Sequence, residues 1–391
     1  MQLVSKVEEK FKELFNEVPV IIRSPGRVNL IGEHTDYNMG FVLPAAIDKA
    51  IYFAIAPVND DNCTVYALDL NEECKFGINN LEKSEKGWPN YLMGVIEQLN
   101  NSGHSIKGFN CVFGGNIPIG AGLSSSAALE AGLAFALNYL FDLSIDNLTL
   151  VKIAQKAENE FVGVKCGIMD QYINIFGKSG NVLRIDCRSL EYSYFPFNYQ
   201  DISIVLFDSR VSHSLASSEY NQRRIECGEG VNIIKKDFPN IQSLRDVSLD
   251  MLAEYKTKLE NTIYRRCKYA VEENDRVLAA CSALGKHDLA AFGLLMYKTH
   301  EGLSKDYEVS CKELDYLVEL TNNNPDILGS RMMGGGFGGC TINLVKNDAI
   351  ESVSKEIAAK YQKEFNIDAN IYVTKISSGT SLINVKENAE A

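Results

Sequence analysis

With 391 residues the chain exceeds the roughly 250–300 at which a single hydrophobic core stops growing, so two domains are expected. A net charge of −12 with no basic cluster to offset it argues against nucleic acid or an anionic membrane as the main partner. Hydrophobic content of 46% and charged content of 23% are those of a globular enzyme, and ten scattered cysteines without a C-x-x-C pair read as reduced thiols, not as a disulfide framework or a zinc site. The expected elements begin with an amphipathic helix. Leu3, Val4, Val7, Phe11, Leu14, Phe15 and Val18 recur at helical spacing against a lysine- and glutamate-rich face, which is not a signal-peptide pattern. Short strands follow at Val20–Arg23, closed by Ser24-Pro25-Gly26, and at Phe41–Leu43, Ala50–Val58 and Cys63–Leu68. Tyr91–Leu99 is expected as a helix and Gly108–Gly114 as a strand. An alanine-rich helix over Ala127–Leu140, a helix over Leu148–Phe161 and a strand over Val182–Cys187 come next.

The pattern breaks at Phe195–Gln200, which places a domain boundary between 1–197 and 198–391. The second half begins with a strand at Ile202–Phe207. Helices are expected over Glu219–Lys236, Tyr255–Leu284, Asp288–Leu303 and Cys311–Asn322. A glycine-rich loop, a strand at Cys340–Val345, a helix at Ala349–Phe365 and a strand at Ala369–Ile376 close the chain. The result is two α+β layers, not a βαβ ladder. The most apolar long stretch, Ala127–Phe141, is interrupted by Glu130 and Asn138 and is too short to span a membrane. A soluble cytoplasmic protein with no obligate protein partner is expected.

The most informative segment is Pro118 to Glu130, Pro-Ile-Gly-Ala-Gly-Leu-Ser-Ser-Ser-Ala-Ala-Leu-Glu. Its glycines allow backbone to approach a ligand, and the free N–H groups at the start of the following helix favour an anion. Hydroxyls there can cap the helix, bond phosphate or ligate Mg²⁺. No lysine follows the glycines, so this is not a Walker loop. A well-capped loop and helix is the other reading. Upstream, Gly26-Arg27-Val28-Asn29-Leu30-Ile31-Gly32-Glu33-His34-Thr35-Asp36-Tyr37-Asn38 gathers polar groups in a short turn. Such a fan suits a polyol, since every hydroxyl left unpaired in a site weakens binding, although a polar turn with Asn and Asp caps has the same composition. Asp170, in Gly167-Ile168-Met169-Asp170-Gln171, can accept a hydroxyl proton if a cation keeps it ionised, or can simply cap a helix. Glu158 lies on a helix where it either reaches a cation or is solvated. Tyr220 starts another helix, and Gly334-Gly335-Gly336-Phe337-Gly338-Gly339-Cys340 suggests backbone pressed against a ligand or another loop.

In this order the segments resemble the galactokinase family, among the small-molecule kinases of galactose, homoserine, mevalonate and phosphomevalonate. Gly26–Asn38 matches the galactokinase signature and Pro118–Ala128 the phosphate loop. Gly167–Gln171, Ser217–Asn221 and Gly334–Cys340 match further family segments. The resemblance implies phosphorylation of the anomeric hydroxyl of D-galactose by ATP. By motif, Glu33, His34, Thr35, Asp36, Asp170 and Tyr220 would contact the sugar. Gly120, Ala121, Gly122, Leu123, Ser124, Ser125 and Ser126 would wrap the nucleotide phosphates, and Ser126 with Glu158 would hold Mg²⁺. Asp170 would be the base and Arg27 its electrostatic partner. The implied fold is α+β and two-lobed, with an N-terminal ribosomal-S5-like domain and a C-terminal ferredoxin-like domain.

Two positions depart from the family pattern. Ser212 stands where a basic residue is common, leaving Arg210 and His213 as the nearest cations in sequence and Arg27 as the main partner of Asp170. Met333 stands where threonine usually precedes the glycine run. N-acetylgalactosamine kinases share all these motifs. Galactose sensors that do not catalyse disrupt the serine–alanine part of the phosphate loop, which is complete here at Ser124-Ser125-Ser126-Ala127-Ala128.

Overall fold

The amphipathic N-terminal stretch forms α1 (Gln2–Phe15) in the computed structural model, which describes residues 2–118, 120–212 and 216–383. In chain order follow β1 (Val20–Asn29), β2 (Phe41–Val42), β3 (Pro44–Pro57), β4 (Asn62–Ala67), β5 (Glu72–Gly77), α2 (Pro89–Asn101), β6 (Phe109–Gly115), α3 (Ser125–Leu140) and α4 (Asn147–Lys156). Next are α5 (Met169–Phe176), β7 (Asn181–Asp186), β8 (Tyr192–Pro196), β9 (Ile202–Ser212), α6 (Ala216–Ile234), α7 (Leu249–Ala253), α8 (Asn261–Gly285) and α9 (Leu289–Lys305). The chain closes with α10 (Lys312–Glu319), β10 (Ile327–Met332), β11 (Gly338–Lys346), α11 (Ile350–Phe365), β12 (Asn370–Thr374) and β13 (Ser381–Leu382).

Six strands form the first sheet in the order β13-β1-β3-β6-β4-β5, antiparallel except where β4 meets β6. α1 lays Val7 and Phe11 on one face against Ile21, Ala54 and Val112. The other face carries α2 and α3, and α3 is apolar nearly all round because it is covered on nearly all sides. A small sheet, β2-β7-β8, packs beside them.

The second large sheet runs β10-β11-β9-β12. Read from the other edge this places the first, third and second of its strands in turn beside the fourth. With helices after β9 and β11, that is a ferredoxin-like arrangement. Strand alternation sets its two faces. Val205 and Phe207 meet Val353, Ile357 and Tyr361 of α11, while Ile204 and Leu206 join the main core.

Several elements differ from the sequence expectation. β1 does not stop at Ser24-Pro25-Gly26. β13 pairs only with Ile22 and Arg23, so beyond them one edge of β1 is unpaired and the missing Pro25 N–H breaks no ladder on that side. A bulge between Pro25 and Arg27 then carries the strand on to Asn29. The helix expected from Tyr255 begins at Asn261. The helix expected over 148–161 ends as α4, and a π-helical turn, Ala157–Val162, continues it. β5, α5, β8, α7, β10 and β13 have no counterpart in the expectation. Among the described residues no helix is long and apolar enough to cross a membrane, and all ten cysteines carry free thiols.

Candidate active site

The loop before α3 bends through left-handed backbone at Gly120 (φ 78°), Gly122 (φ 73°) and Ser124 (φ 57°). Ser124 is the residue that would ordinarily cap α3, yet its hydroxyl makes no cap hydrogen bond. It donates instead to Asp170 Oδ2. The first N–H groups of α3 are thereby left to a ligand, and a helix N-terminus favours an anion there. The glycine run before and into β11 lies against this loop, Gly334 beside Gly122 and Gly339 beside Ala121.

Asp170 sits in the first turn of α5. Arg27 grips it with both arms of its guanidinium, Nε to Oδ1 at 2.7 Å and Nη2 to Oδ2 at 2.8 Å, while Nη1 donates to the Gly122 carbonyl at 2.6 Å. Burial works against the Arg27 charge, but Asp170, with Glu33 and Asp36, outweighs it and raises the Arg27 pKa. Arg27 is thus a fixed cation joining the carboxylate to the glycine–serine loop before α3. Arg210 lines a different groove, with Pro118, Gly120 and Asp208. His213 and the side chain of Ser212 lie outside the described residues.

Glu33, His34 and Asp36 line the same cavity of about 380 Å³ as Arg27 and Asp170, and Glu158, Tyr220, Asn221, Gly334 and Gly335 also contribute to its wall. Asp36 presses so closely on the Gly167 backbone that a Cβ there has no room. Burial first, then the charge of Asp170, push Asp36 up to about 6. His34 is driven down to about 3 by burial, Arg223 and Arg331 adding to it, so the imidazole is neutral. Tyr220 packs its ring 5.3 Å from His34. Thr35 does not reach the cavity. Its hydroxyl lies 2.9 Å from the Gly32 carbonyl and 2.6 Å from that of Phe41, and it fixes the turn instead.

Sequence reasoning missed the residues that hold this turn. Arg331, fully buried on β10, pairs with Glu33 at 2.7 Å and donates to the carbonyls of Asn29, Leu30 and Met332. Glu273 of α8 accepts the Gly32 N–H at 2.8 Å, and the Tyr269 hydroxyl donates to the Glu33 carbonyl. Only an arginine beside the glycine run hinted at any of this. Met333, the other departure, is buried with its sulfur 3.5 Å from the Asn29 N–H.

Glu158 stands on the π-helical turn, a feature frequent at functional sites. Its carboxylate accepts from the Ser126 hydroxyl, from Gln171 Nε2 at 2.7 Å and from Cys166 Sγ at 3.3 Å. Burial, then Asp170, raise its pKa. Glu130 behind it is held well above the usual carboxylate range by burial and by Glu158. Among the described residues no group of three or more His, Cys, Asp or Glu side chains is arranged to hold a metal alone. Trp88 packs edge-on to Phe113 and donates its indole N–H to Glu72.

Comparison with known proteins places the whole chain. The model of the galactokinase galactose-binding signature matches residues 9–57. Those of the GHMP kinase N-terminal and C-terminal domains match residues 90–178 and 277–363. Galactokinases of a Roseiflexus species and of Clostridium acetobutylicum are 43% and 41% identical to the chain. The first alignment covers 97% of both proteins, the second 98% of this chain and 100% of the relative. The crystal structure of Lactococcus lactis galactokinase complexed with galactose superposes with a TM-score of 0.93 at 36% identity, over 97% of this chain and 99% of that one. Methanococcus jannaschii mevalonate kinase shares the fold at a TM-score of 0.64, covering 92% of this chain and 99% of its own. Signature, both kinase domains and near-full-length identity converge: the chain belongs to the galactokinase family of GHMP kinases.

Proposed function

We propose that the chain transfers the γ-phosphoryl group of ATP to the anomeric hydroxyl of D-galactose, giving galactose 1-phosphate and ADP. The carrying observation is that one cavity holds the Glu33–His34–Asp36 fan and the Arg27–Asp170 pair directly beside the α3 N-terminus. Glu33, Asp36 and Tyr220 orient the sugar. Asp170, gripped by both arms of Arg27, takes the proton of the anomeric hydroxyl as its oxygen bonds to the γ-phosphorus. The bond from that phosphorus to the β,γ-bridging oxygen breaks, and ADP leaves. Transfer of this kind has a loose transition state, so positioning and charge neutralisation carry most of the rate. The free N–H groups of α3 and the glycine loop 120–123 answer the phosphate charge, and Arg27 stabilises the group in transit.

Ser126 and Glu158 fit Mg²⁺ chemically. They are hydrogen-bonded hard oxygen donors at the phosphate loop, and Mg²⁺ is usually bound by one or two carboxylates together with substrate phosphates, not by an all-protein cage. When bound there the ion would neutralise phosphate charge.

The test is ADP release with Mg·ATP against galactose, N-acetylgalactosamine, arabinose, glucose and no sugar, in the wild type and in Asp170→Asn. Preference for galactose is expected, with Asp170→Asn at least about 10²-fold slower while still binding galactose. Preference for N-acetylgalactosamine would keep the chemistry and change the sugar. Near-normal turnover in Asp170→Asn would remove that residue as the base.

A further inference from the structure

Behind the cavity wall a chain of buried polar groups leads away from His34, and the proposed reaction uses none of them. His34 Nδ1 lies 2.7 Å from the Tyr37 hydroxyl, which lies 2.9 Å from the Tyr307 hydroxyl. That hydroxyl is 3.2 Å from Cys227 Sγ. Asn38 Nδ2 reaches the same sulfur at 3.8 Å and the His34 carbonyl at 2.9 Å. His34, Asn38, Cys227 and Tyr307 are all buried.

The protons of this chain can be counted. Asn38 serves the His34 carbonyl and so presents its donor end, which makes the Cys227 sulfur an acceptor from Asn38. Tyr37, Tyr307 and Cys227 each have one proton to place, and two directions are open. If Nδ1–H donated to Tyr37, Tyr37 to Tyr307 and Tyr307 to sulfur, the thiol proton would find no acceptor among the described residues. An imidazole N–H would also be spent on a phenol oxygen, a poor acceptor. In the reverse direction Cys227 donates to Tyr307, Tyr307 to Tyr37, and Tyr37 to Nδ1. Every proton is then paired, and the acidic phenol meets the basic ring nitrogen.

The ring of His34 is neutral, so its single proton falls on Nε2 in that direction. Nε2 is buried and has no partner of normal hydrogen-bond geometry among the described residues, and His34 lines the cavity. The Gly335 backbone on the same wall favours a proton on the ring. We propose that Tyr37, Tyr307 and Cys227 are positioning residues that lock His34 with Nδ1 accepting and Nε2 protonated, making it a hydrogen-bond donor to a sugar oxygen. Asp36, ionised, can only accept. A hydroxyl placed between the two gives its proton to the carboxylate and takes one from Nε2, so the pair selects a hydroxyl over any group that only donates or only accepts.

The kinetic consequence rests on the galactose reading above, but the tautomer does not. The deciding experiment is a long-range ¹H–¹⁵N correlation spectrum of the ¹⁵N-histidine-labelled, ligand-free full chain, with His34 among the five histidines assigned by loss of its signals in His34→Gln. A protonated Nε2 and an unprotonated Nδ1 are expected. A proton on Nδ1, or an average of both tautomers, overturns the proposal. In Tyr37→Phe the lock is lost, so averaged signals and a roughly tenfold higher galactose KM are expected, with kcat within about twofold. An unchanged single tautomer with unchanged KM in that variant also overturns it. Should Tyr37→Phe fail to fold, the wild-type spectrum still decides. A locked tautomer in a protein that phosphorylates no sugar would sink the proposed function and leave the lock standing.

Discussion

At Asp36 two demands meet, since a carboxylate accepts a hydroxyl hydrogen bond more strongly than a carboxyl does, yet this half-buried group lies in the field of a second carboxylate, Asp170. Burial and Asp170 hold its pKa at about 6 in the ligand-free protein. The sign follows directly. Below about 6 the carboxyl is protonated and a weaker acceptor, and above it the carboxylate is available. Bound sugar favours the charged form, so galactose affinity should rise as pH increases through about 6. Replacing a charge-assisted hydrogen bond by a neutral one weakens binding by roughly 1 kcal/mol, or about fivefold. Calorimetric titration of galactose between pH 5 and 8 should show that change in the wild type and a flat, weaker profile in Asp36→Asn. A pH-independent wild type would place the sugar away from Asp36.

At the scale of the element, the start of α3 shows how a cap is diverted. Ser124 adopts left-handed backbone and gives its hydroxyl to Asp170, not to the helix it precedes. Ser124→Gly suits that backbone and deletes only the hydroxyl. Loss of one hydrogen bond to a charged group is worth roughly 1.5 kcal/mol, so kcat should fall about tenfold with the ATP KM within about threefold. A large rise in the ATP KM with kcat preserved would instead make the hydroxyl a phosphate ligand. Local chemistry of this kind was legible in the sequence. Glycines, serines and the polar turn all act within a few residues of one another. The onset of α3 was misplaced at Ala127 because serines disfavour helix interiors, whereas Ser125 and Ser126 form its first turn. α5, which carries Asp170, has no counterpart in the sequence expectation because eight residues are too short to establish a helical period. β1 was cut at Pro25 because only the tertiary arrangement shows that its edge is free there.

At the scale of the molecule the two halves share one interior, which leaves no local sign in the residue pattern. Leu206, Ile342 and Leu344 lie in the same core as Val28, Leu133 and Phe53, and β13 returns from the far end of the chain to pair with β1. The Glu33 wall of the cavity is assembled across this junction by Arg331. It is fully buried, pairs with Glu33 and serves three carbonyls, two of them about 300 residues away in sequence. Such a partner set leaves no periodic trace, which is why the residue escaped detection. Its energetics separate two roles. Removing one member of a buried ion pair strands the other and is destabilising by about 3–5 kcal/mol, whereas neutralising both removes that penalty. Arg331→Met should therefore lower unfolding free energy in urea by about that amount. Adding Glu33→Gln should return part of it, the remainder being the carbonyls left without a donor. Galactose affinity should stay low in both variants, because the double variant relieves the stranded charge without rebuilding the Glu33 acceptor in the cavity. If Arg331→Met alone loses less than about 1 kcal/mol, the pair does not join the two halves, and the Glu33 wall must be held by the Glu273 and Tyr269 contacts from α8 instead.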